Sequence, residues 1–174
     1  MMRCMKKNIV LIGMPSCGKT TLANQLSEVL HIPVYDSDAL IVESQNCSIA
    51  NIFEIQGEAY FRKLEHEMIV SLSKLSHVII STGGGVILNE DNMKALKENG
   101  MIFFIDRPLH LLLSSDPSRP LSKDEKALKE MYAVRLPLYQ KYADAIVKND
   151  GRIEEAMRLL MRYIGGSIYD YHHN

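Results

Sequence analysis

A short apolar run that ends at a glycine and leads into a helical pattern constrains the fold most. Asn8–Ile12 is mostly apolar and β-branched, which favours a buried strand. From Lys19 to Leu30, apolar residues recur three and four positions apart, which predicts an amphipathic helix. A strand joined to a helix by a short glycine-bounded loop is typical of a β–α–β unit, and such units build parallel sheets.

The rest of the chain repeats this alternation of short apolar runs and longer helical patterns. Four further strands are predicted at Pro33–Tyr35, His77–Ser81, Met101–Asp106 and Ala145–Val147. Helices are predicted near residues 39–46, 49–55, 58–75, 90–98, 108–113, 124–139 and 152–164. We therefore expect an α/β fold of three layers, in which helices cover both faces of a five-stranded parallel sheet.

Length, charge and cysteine content narrow the class of protein. The 174 residues suit one domain spanning residues 1–174, and a net charge of −1 gives no electrostatic footprint for nucleic acid. The apolar runs are of strand length, so we expect no membrane span and no signal peptide. Three cysteines without metal-ligand spacing favour reduced thiols. We expect a cytoplasmic monomer that contacts neither nucleic acid nor membrane.

The loop after the first strand carries the pattern G-x-x-x-x-G-K-[ST], between a strand and a helix as that motif requires. Its glycines allow backbone N–H groups to converge on phosphate oxygens at the helix N-terminus. Lys19 would neutralise phosphate charge, and the Thr20 hydroxyl would ligate Mg²⁺. The alternative is a glycine-rich turn that matches by chance. The predicted ATP contacts in this loop are Gly13, Pro15, Ser16, Cys17, Gly18, Lys19, Thr20 and Thr21.

Two carboxylates follow the second predicted strand, in the tripeptide Asp36-Ser37-Asp38. If this segment is extended, residues two apart project to the same side. One carboxylate can then hold hydrated Mg²⁺ while the other accepts a hydrogen bond from a substrate hydroxyl and orients it for attack. The alternative is a solvated turn, or an N-cap for the helix near residues 39–46.

Two arginines on distant predicted helices, Arg62 and Arg135, are candidates for binding an acidic substrate. A guanidinium presents a planar fork of donors that pairs with a carboxylate at two points. Two such groups brought together would select an acidic ligand and fix its orientation. The alternative is that each is a surface arginine paired with a neighbour such as Glu58 or Glu65.

Three consecutive glycines, Gly83, Gly84 and Gly85, follow the third predicted strand. Because glycine carries a large entropic cost, such a run favours a place where backbone approaches a ligand closely, although an ordinary turn is the alternative. The only long irregular segment, about residues 114–124, is the predicted lid. Its Arg119 would stabilise charge on a transferring phosphoryl group, or would be a solvated loop residue.

In order and spacing, these motifs together with Arg119-Pro-Leu and Arg135-Leu-Pro-Leu-Tyr139 resemble the shikimate kinase family, from about Asn8 to about Ile164. The resemblance implies the sheet order 2-3-1-4-5, ATP and Mg²⁺ as cofactors, and phosphorylation of the 3-hydroxyl of shikimate. It implies catalytic roles for Lys19, Asp38 and Arg119, with Arg119 also contacting ATP. It implies that Thr20 and Asp36 hold the metal, and that the acceptor contacts Asp38, Arg62, Gly83, Gly84, Gly85 and Arg135. The acceptor-binding helices are expected at about residues 38–75.

The sequence departs from the family pattern in the helix before the lid. Many relatives carry there an arginine that packs against adenine, whereas this chain has leucine within the run Leu109–Ser115. Adenine would then lie on apolar side chains or beside His110. Two other functions stay open: another small-molecule kinase of the same group, such as a gluconate kinase, and a nucleotide-binding module without catalytic activity.

Overall fold

The computed structural model of the chain describes residues 8–114 and 123–169. Its centre is a sheet of five parallel strands in the order β2-β3-β1-β4-β5. Both the parallel arrangement and the strand order were expected, and both are confirmed. The strands are β1 (Asn8–Ile12), β2 (Val34–Asp36), β3 (Ile79–Ser81), β4 (Gly100–Asp106) and β5 (Ala145–Lys148).

Helices flank this sheet, and every predicted helix is present. The helices of the described residues are α1 (Lys19–Leu30), α2 (Ser37–Gln45), α3 (Ile49–Gln56), α4 (Glu58–Ser73), α5 (Glu90–Asn99), α6 (Leu109–Ser114), α7 (Lys123–Tyr142) and α8 (Ile153–Tyr169). A short 3₁₀ helix at Val86–Leu88 follows the three glycines and was not predicted. Its three residues are too few to give a periodic signal.

The expectation that Asp36 to Asp38 is extended was wrong. Helix α2 begins at Ser37, two residues before the predicted start, because the Asp36 carboxylate accepts a hydrogen bond from the Ala39 N–H at 3.0 Å and caps the helix. Asp36 is therefore the last residue of β2, and Asp38 lies in the first turn of α2.

Strand β1 lies in the middle of the sheet, and its apolar residues belong to the main hydrophobic core. Val10, Leu11 and Ile12 are fully buried, because β1 pairs with β3 on one side and β4 on the other. A second, smaller apolar cluster joins α2, α3 and α4 through Ile41, Ile52 and Phe61. These three helices therefore pack partly on one another, beside the main core.

All five strands end at the same edge of the sheet, and the residues singled out by their sequence follow those ends. The register places Asp36 and Leu11 beside Ser81, so the loops after β1, β2 and β3 begin next to one another. Most of the predicted lid, including Arg119, lies outside the described residues. Within the described ranges, no helix combines the length and apolar character that a membrane crossing needs.

Candidate active site

The loop between β1 and α1 has the backbone of an anion cradle. Gly13 and Gly18 have φ of +152° and +101°, values that side-chain-bearing residues rarely adopt. A Cβ atom on Gly13 would lie 2.7 Å from the Ile105 carbonyl oxygen, so the position also has no room for one. No side chain caps α1, which leaves its first N–H groups available to a phosphate.

Lys19 is the first residue of α1, and its ammonium group is held against the loop backbone. Its Nζ donates to the carbonyl oxygens of Gly13 at 2.9 Å and Met14 at 2.8 Å, and the side chain is buried. These bonds hold the positive charge in the cradle, where phosphate groups would bind. Pro15, Ser16, Thr20 and Thr21 line the exposed side of the loop, whereas Cys17 is fully buried beneath it.

Thr20 and Asp36 come together at the mouth of the loop. The Thr20 hydroxyl donates to one Asp36 carboxylate oxygen at 3.2 Å, while the other oxygen caps α2. A hydroxyl and a carboxylate oxygen are the hard ligands that Mg²⁺ prefers, and Mg²⁺ sites in kinases need only one or two protein carboxylates beside the phosphates. This donor set fits the ion.

Asp38 points at the glycine run that follows β3. A Cβ atom on Gly83 would lie 2.9 Å from Asp38 Oδ2, so only glycine leaves room for this carboxylate. The other oxygen, Oδ1, is buried and has no hydrogen-bond partner among the described residues. A buried acceptor without a partner is rare in folded proteins, and this oxygen is free to accept a hydrogen bond from a ligand hydroxyl.

The surroundings of Asp38 favour its protonated form. The pKa of Asp38 is raised from its ordinary 3.8 to about 6, chiefly by burial. The negative charges of Glu65 and Asp36 contribute to this rise, whereas Lys19 and Arg62 oppose it. A carboxylate with a pKa near 6 is still ionised at neutral pH and is a stronger base than an exposed one.

Arg62 is held in place by two glutamates of its own helix. Its guanidinium donates to Glu65 Oε2 at 2.7 Å and to Glu58 Oε1 at 3.3 Å. The same group lies against Gly85, where a Cβ atom would be 2.6 Å from the guanidinium carbon. The pairing with Glu58 and Glu65 that was considered as an alternative is therefore present, and it holds the arginine beside the glycine run.

Arg135 reaches the same glycine run from α7. Its Nη1 would lie 3.2 Å from a Cβ atom on Gly84. Four residues along the helix, Tyr139 donates from its hydroxyl to the Gly84 carbonyl oxygen at 2.5 Å. The Gly84 position also touches the ring of Pro15, so the acceptor side and the phosphate loop meet here.

A sequence model of the family described as Shikimate kinase matches residues 15–164. A shikimate kinase of Clostridium botulinum (strain Alaska E43 / Type E3) is 40% identical over 163 residues, which cover 92% of this chain and 98% of that protein. The chain belongs to the shikimate kinase family.

Solved structures of the family agree with this assignment. A shikimate kinase from Acinetobacter baumannii in complex with shikimate superimposes with a TM-score of 0.82 at 30% identity, covering 97% of this chain and 96% of that one. The shikimate kinase of Aquifex aeolicus gives the same TM-score of 0.82 at 39% identity, over 92% of this chain and 98% of that one.

Each glycine of the run faces one of the polar side chains that the shikimate kinase resemblance assigned to the acceptor. Gly83 lies against Asp38, Gly84 against Arg135, and Gly85 against Arg62. Three side chains from α2, α4 and α7 thus converge on one backbone segment beside the phosphate loop.

Glu65 belongs to this site and was missed as a functional residue. It is 1% exposed, its Oε1 has no partner among the residues that the structure describes, and its charge raises the pKa of Asp38. The sequence did contain a signal. Glu65 lies on the same helix face as Phe61, Ile69 and Leu72, and a carboxylate in an apolar stripe needs a partner.

Tyr139 was also missed, although it closes the quoted motif. The ring is fully buried and stacks on Phe104 at a centroid distance of 5.0 Å, and burial raises the pKa of its hydroxyl. Arg135 and Tyr139 are four residues apart and so share a face of α7, which is a spacing visible in the sequence. The Tyr139 hydroxyl therefore holds Gly84, the middle glycine of the run, by donating to the Gly84 carbonyl oxygen.

Changing Tyr139 to phenylalanine should weaken acceptor binding without abolishing turnover. The substitution leaves the half-buried Gly84 carbonyl without its donor, which costs about 0.5–1.5 kcal/mol. We expect the KM for the acceptor to rise about five- to tenfold, because Gly84 and Arg135 shift together. Steady-state kinetics check this, with Tyr60→Phe as the control, since the Tyr60 hydroxyl bonds to Gln45 at 3.4 Å instead. An unchanged acceptor KM would contradict this role.

Proposed function

We propose that the chain transfers the γ-phosphoryl group of ATP to the 3-hydroxyl of shikimate, giving shikimate 3-phosphate and ADP. One observation carries this proposal: the Asp38 carboxylate and two guanidinium groups surround the glycine run Gly83–Gly85, beside a lysine-bearing phosphate loop, and the buried Asp38 Oδ1 has no hydrogen-bond partner among the described residues. This set suits an acceptor that has both a hydroxyl and a carboxylate. Membership of the shikimate kinase family supports the same substrate.

The nucleotide half of the reaction depends on the loop Gly13–Thr21. The glycine backbone and the N-terminus of α1 would bind the phosphates, and Lys19 would turn from its loop carbonyls to the β- and γ-phosphates. Thr20 and Asp36 would hold Mg²⁺, which when bound neutralises charge on the phosphates.

The acceptor half depends on Asp38 and the two arginines. Arg62 and Arg135 would bind the shikimate carboxylate from two helices, which fixes the ring in one orientation. Asp38 would accept a hydrogen bond from the 3-hydroxyl. The hydroxyl oxygen then bonds to the γ-phosphorus, the bond from that phosphorus to the β-phosphate bridging oxygen breaks, and the hydroxyl proton passes to Asp38.

Arg119 keeps its proposed role as the residue that stabilises charge on the transferring phosphoryl group. It lies outside the described residues, within the lid that we propose at about residues 114–124. We further propose a single domain that acts as a monomer in the cytoplasm, where ATP is available.

A coupled assay of ADP release tests the proposal against both alternatives. We expect ADP release with shikimate, none above background with gluconate, and a new phosphate monoester signal by ³¹P NMR only with shikimate. Turnover with gluconate instead would favour a gluconate kinase. Binding of ATP without turnover on either acceptor would favour a catalytically inactive nucleotide-binding module.

A further inference from the structure

Asn149 follows β5 and lies under the phosphate loop. The register pairs Asp106 with Lys148 at the end of the sheet, and the Asn149 N–H continues the ladder by donating to the Asp106 carbonyl at 2.8 Å. Arg107 donates to the Asn149 carbonyl oxygen at 3.3 Å. The asparagine is 3% exposed, and these two hydrogen bonds hold its backbone in place.

The Asn149 side chain contacts the loop at its last two residues. Its Nδ2 donates to the Cys17 carbonyl oxygen at 2.8 Å. A Cβ atom on Gly18 would lie 2.7 Å from the same nitrogen, so the amide lies directly against the second glycine of the motif. Since the Cys17 oxygen can only accept, the atom facing it must be the amide nitrogen.

The contact with Cys17 determines which way a phosphate-binding amide points. In a planar trans peptide, the carbonyl oxygen of one residue and the N–H of the next point in opposite directions. Anchoring the Cys17 carbonyl under the loop therefore directs the Gly18 N–H to the opposite side. Gly18 has φ of +101°, so the backbone there has no Cβ atom to restrict rotation of this peptide.

We infer that Asn149 is a positioning residue for nucleotide binding, which holds the Cys17–Gly18 peptide so that the Gly18 N–H faces the phosphates of ATP. It acts through the loop backbone and does not touch the nucleotide. The inference rests on the nucleotide half of the proposed function and is independent of which acceptor is used.

Removing the Asn149 amide should affect the nucleotide and spare the acceptor. In Asn149→Ala the Cys17 carbonyl loses its donor and the peptide is free to rotate. We expect the dissociation constant for ADP with Mg²⁺, measured by calorimetry without acceptor, to rise about tenfold, as for one lost hydrogen bond at a binding loop. The KM for ATP should rise by a similar factor, while the KM for shikimate stays unchanged.

A matched asparagine separates positioning from general stability. Asn8 is 2% exposed, and its Nδ2 donates to the Leu75 carbonyl oxygen at 2.7 Å, at the opposite edge of the sheet. Asn8→Ala should lower the melting temperature but leave ADP affinity unchanged. If Asn149→Ala does not fold, Asn149→Leu replaces it, because leucine has a similar shape, removes the donor and adds no charge beside the phosphates.

The outcomes separate this inference from the proposed function. Unchanged ADP affinity in a folded Asn149 variant would overturn the inference alone, as would an equal loss in Asn8→Ala. If the wild-type protein bound no ADP, the proposed function would fail and the inference with it. A selective loss at Asn149 establishes the positioning role.

Discussion

Asp38→Asn is expected to lower kcat by about 10²- to 10⁴-fold, the usual contribution of a general base. The amide keeps the shape of the carboxylate and can still contact a hydroxyl, but it cannot take the proton. The KM for ATP should change little, because Asp38 lies against Gly83 on the acceptor side of the site. Steady-state kinetics at saturating substrates measure the effect.

The control for Asp38→Asn is Asp91→Asn. Asp91 is an exposed residue of α5, 3.6 Å from Lys94, and its substitution should leave kcat unchanged. A kcat for Asp38→Asn within about threefold of wild type would remove the proposed base from the mechanism, since base catalysis contributes far more than that.

The same substitution should stabilise the folded protein at neutral pH. The folded pKa of Asp38 is raised from 3.8 to about 6, so its stabilising contribution is present below pH 3.8 and lost as pH rises through about 6. The difference corresponds to roughly 3 kcal/mol, which asparagine would regain at pH 7 because it carries no charge. Urea unfolding should show this gain at pH 7.5 and little gain near pH 4.

The activity of the wild-type protein should rise with pH as Asp38 ionises, whereas the stability contributed by Asp38 falls. The base must be ionised to accept the proton, so kcat/KM for the acceptor is expected to fall as pH drops below about 6. Greater stability of the variant together with loss of turnover would show that the folded chain maintains a costly carboxylate for catalysis.

Arg135→Ala is expected to raise the KM for shikimate by at least about 30-fold. Truncating one partner of a buried, hydrogen-bonded charge pair costs about 2–5 kcal/mol, and the acceptor carboxylate would lose one of its two guanidinium partners. The KM for ATP should not change, because Arg135 faces Gly84 rather than the cradle that holds Lys19. Initial-rate kinetics with each substrate varied in turn give both constants.

Two variants accompany Arg135→Ala. Arg158→Ala on α8 removes an exposed arginine and should leave both KM values unchanged. Arg135→Lys keeps the positive charge but lacks the planar fork of donors, so it should recover only part of the affinity. Equal increases in both KM values, or none in either, would argue against a carboxylate-binding role for Arg135.

Much of the fold could be predicted because its signals are local. The run Asn8–Ile12 was predicted with its observed bounds, and the helical spacing after Lys19 marked α1 correctly. The strand order, by contrast, depended on the family resemblance, because apolar runs do not say which strands are neighbours. The start of α2 was predicted two residues late, because the Asp36 cap extends the helix back to Ser37.

The candidate site could be predicted where residue types are unusual, and less well where a contact joins residues that are far apart in the sequence. Lys19, Asp38 and the glycine run stand out in the sequence because they follow predicted strands. Asn149 does not, because its partner Cys17 lies 132 positions away and nothing local marks the pair. Glu65 and Tyr139 are intermediate cases. Their helical spacing from Arg62 and Arg135 marks them as candidates only once those two arginines have been assigned to the site.

The most direct test of the central claim is a crystal structure of the protein with shikimate and ADP·Mg²⁺. We predict the shikimate carboxylate between Arg62 and Arg135, its 3-hydroxyl against Asp38, and the ADP phosphates on the loop that carries Lys19. Shikimate bound away from the glycine run Gly83–Gly85, or bound there with its carboxylate directed at Asp38, would contradict the account.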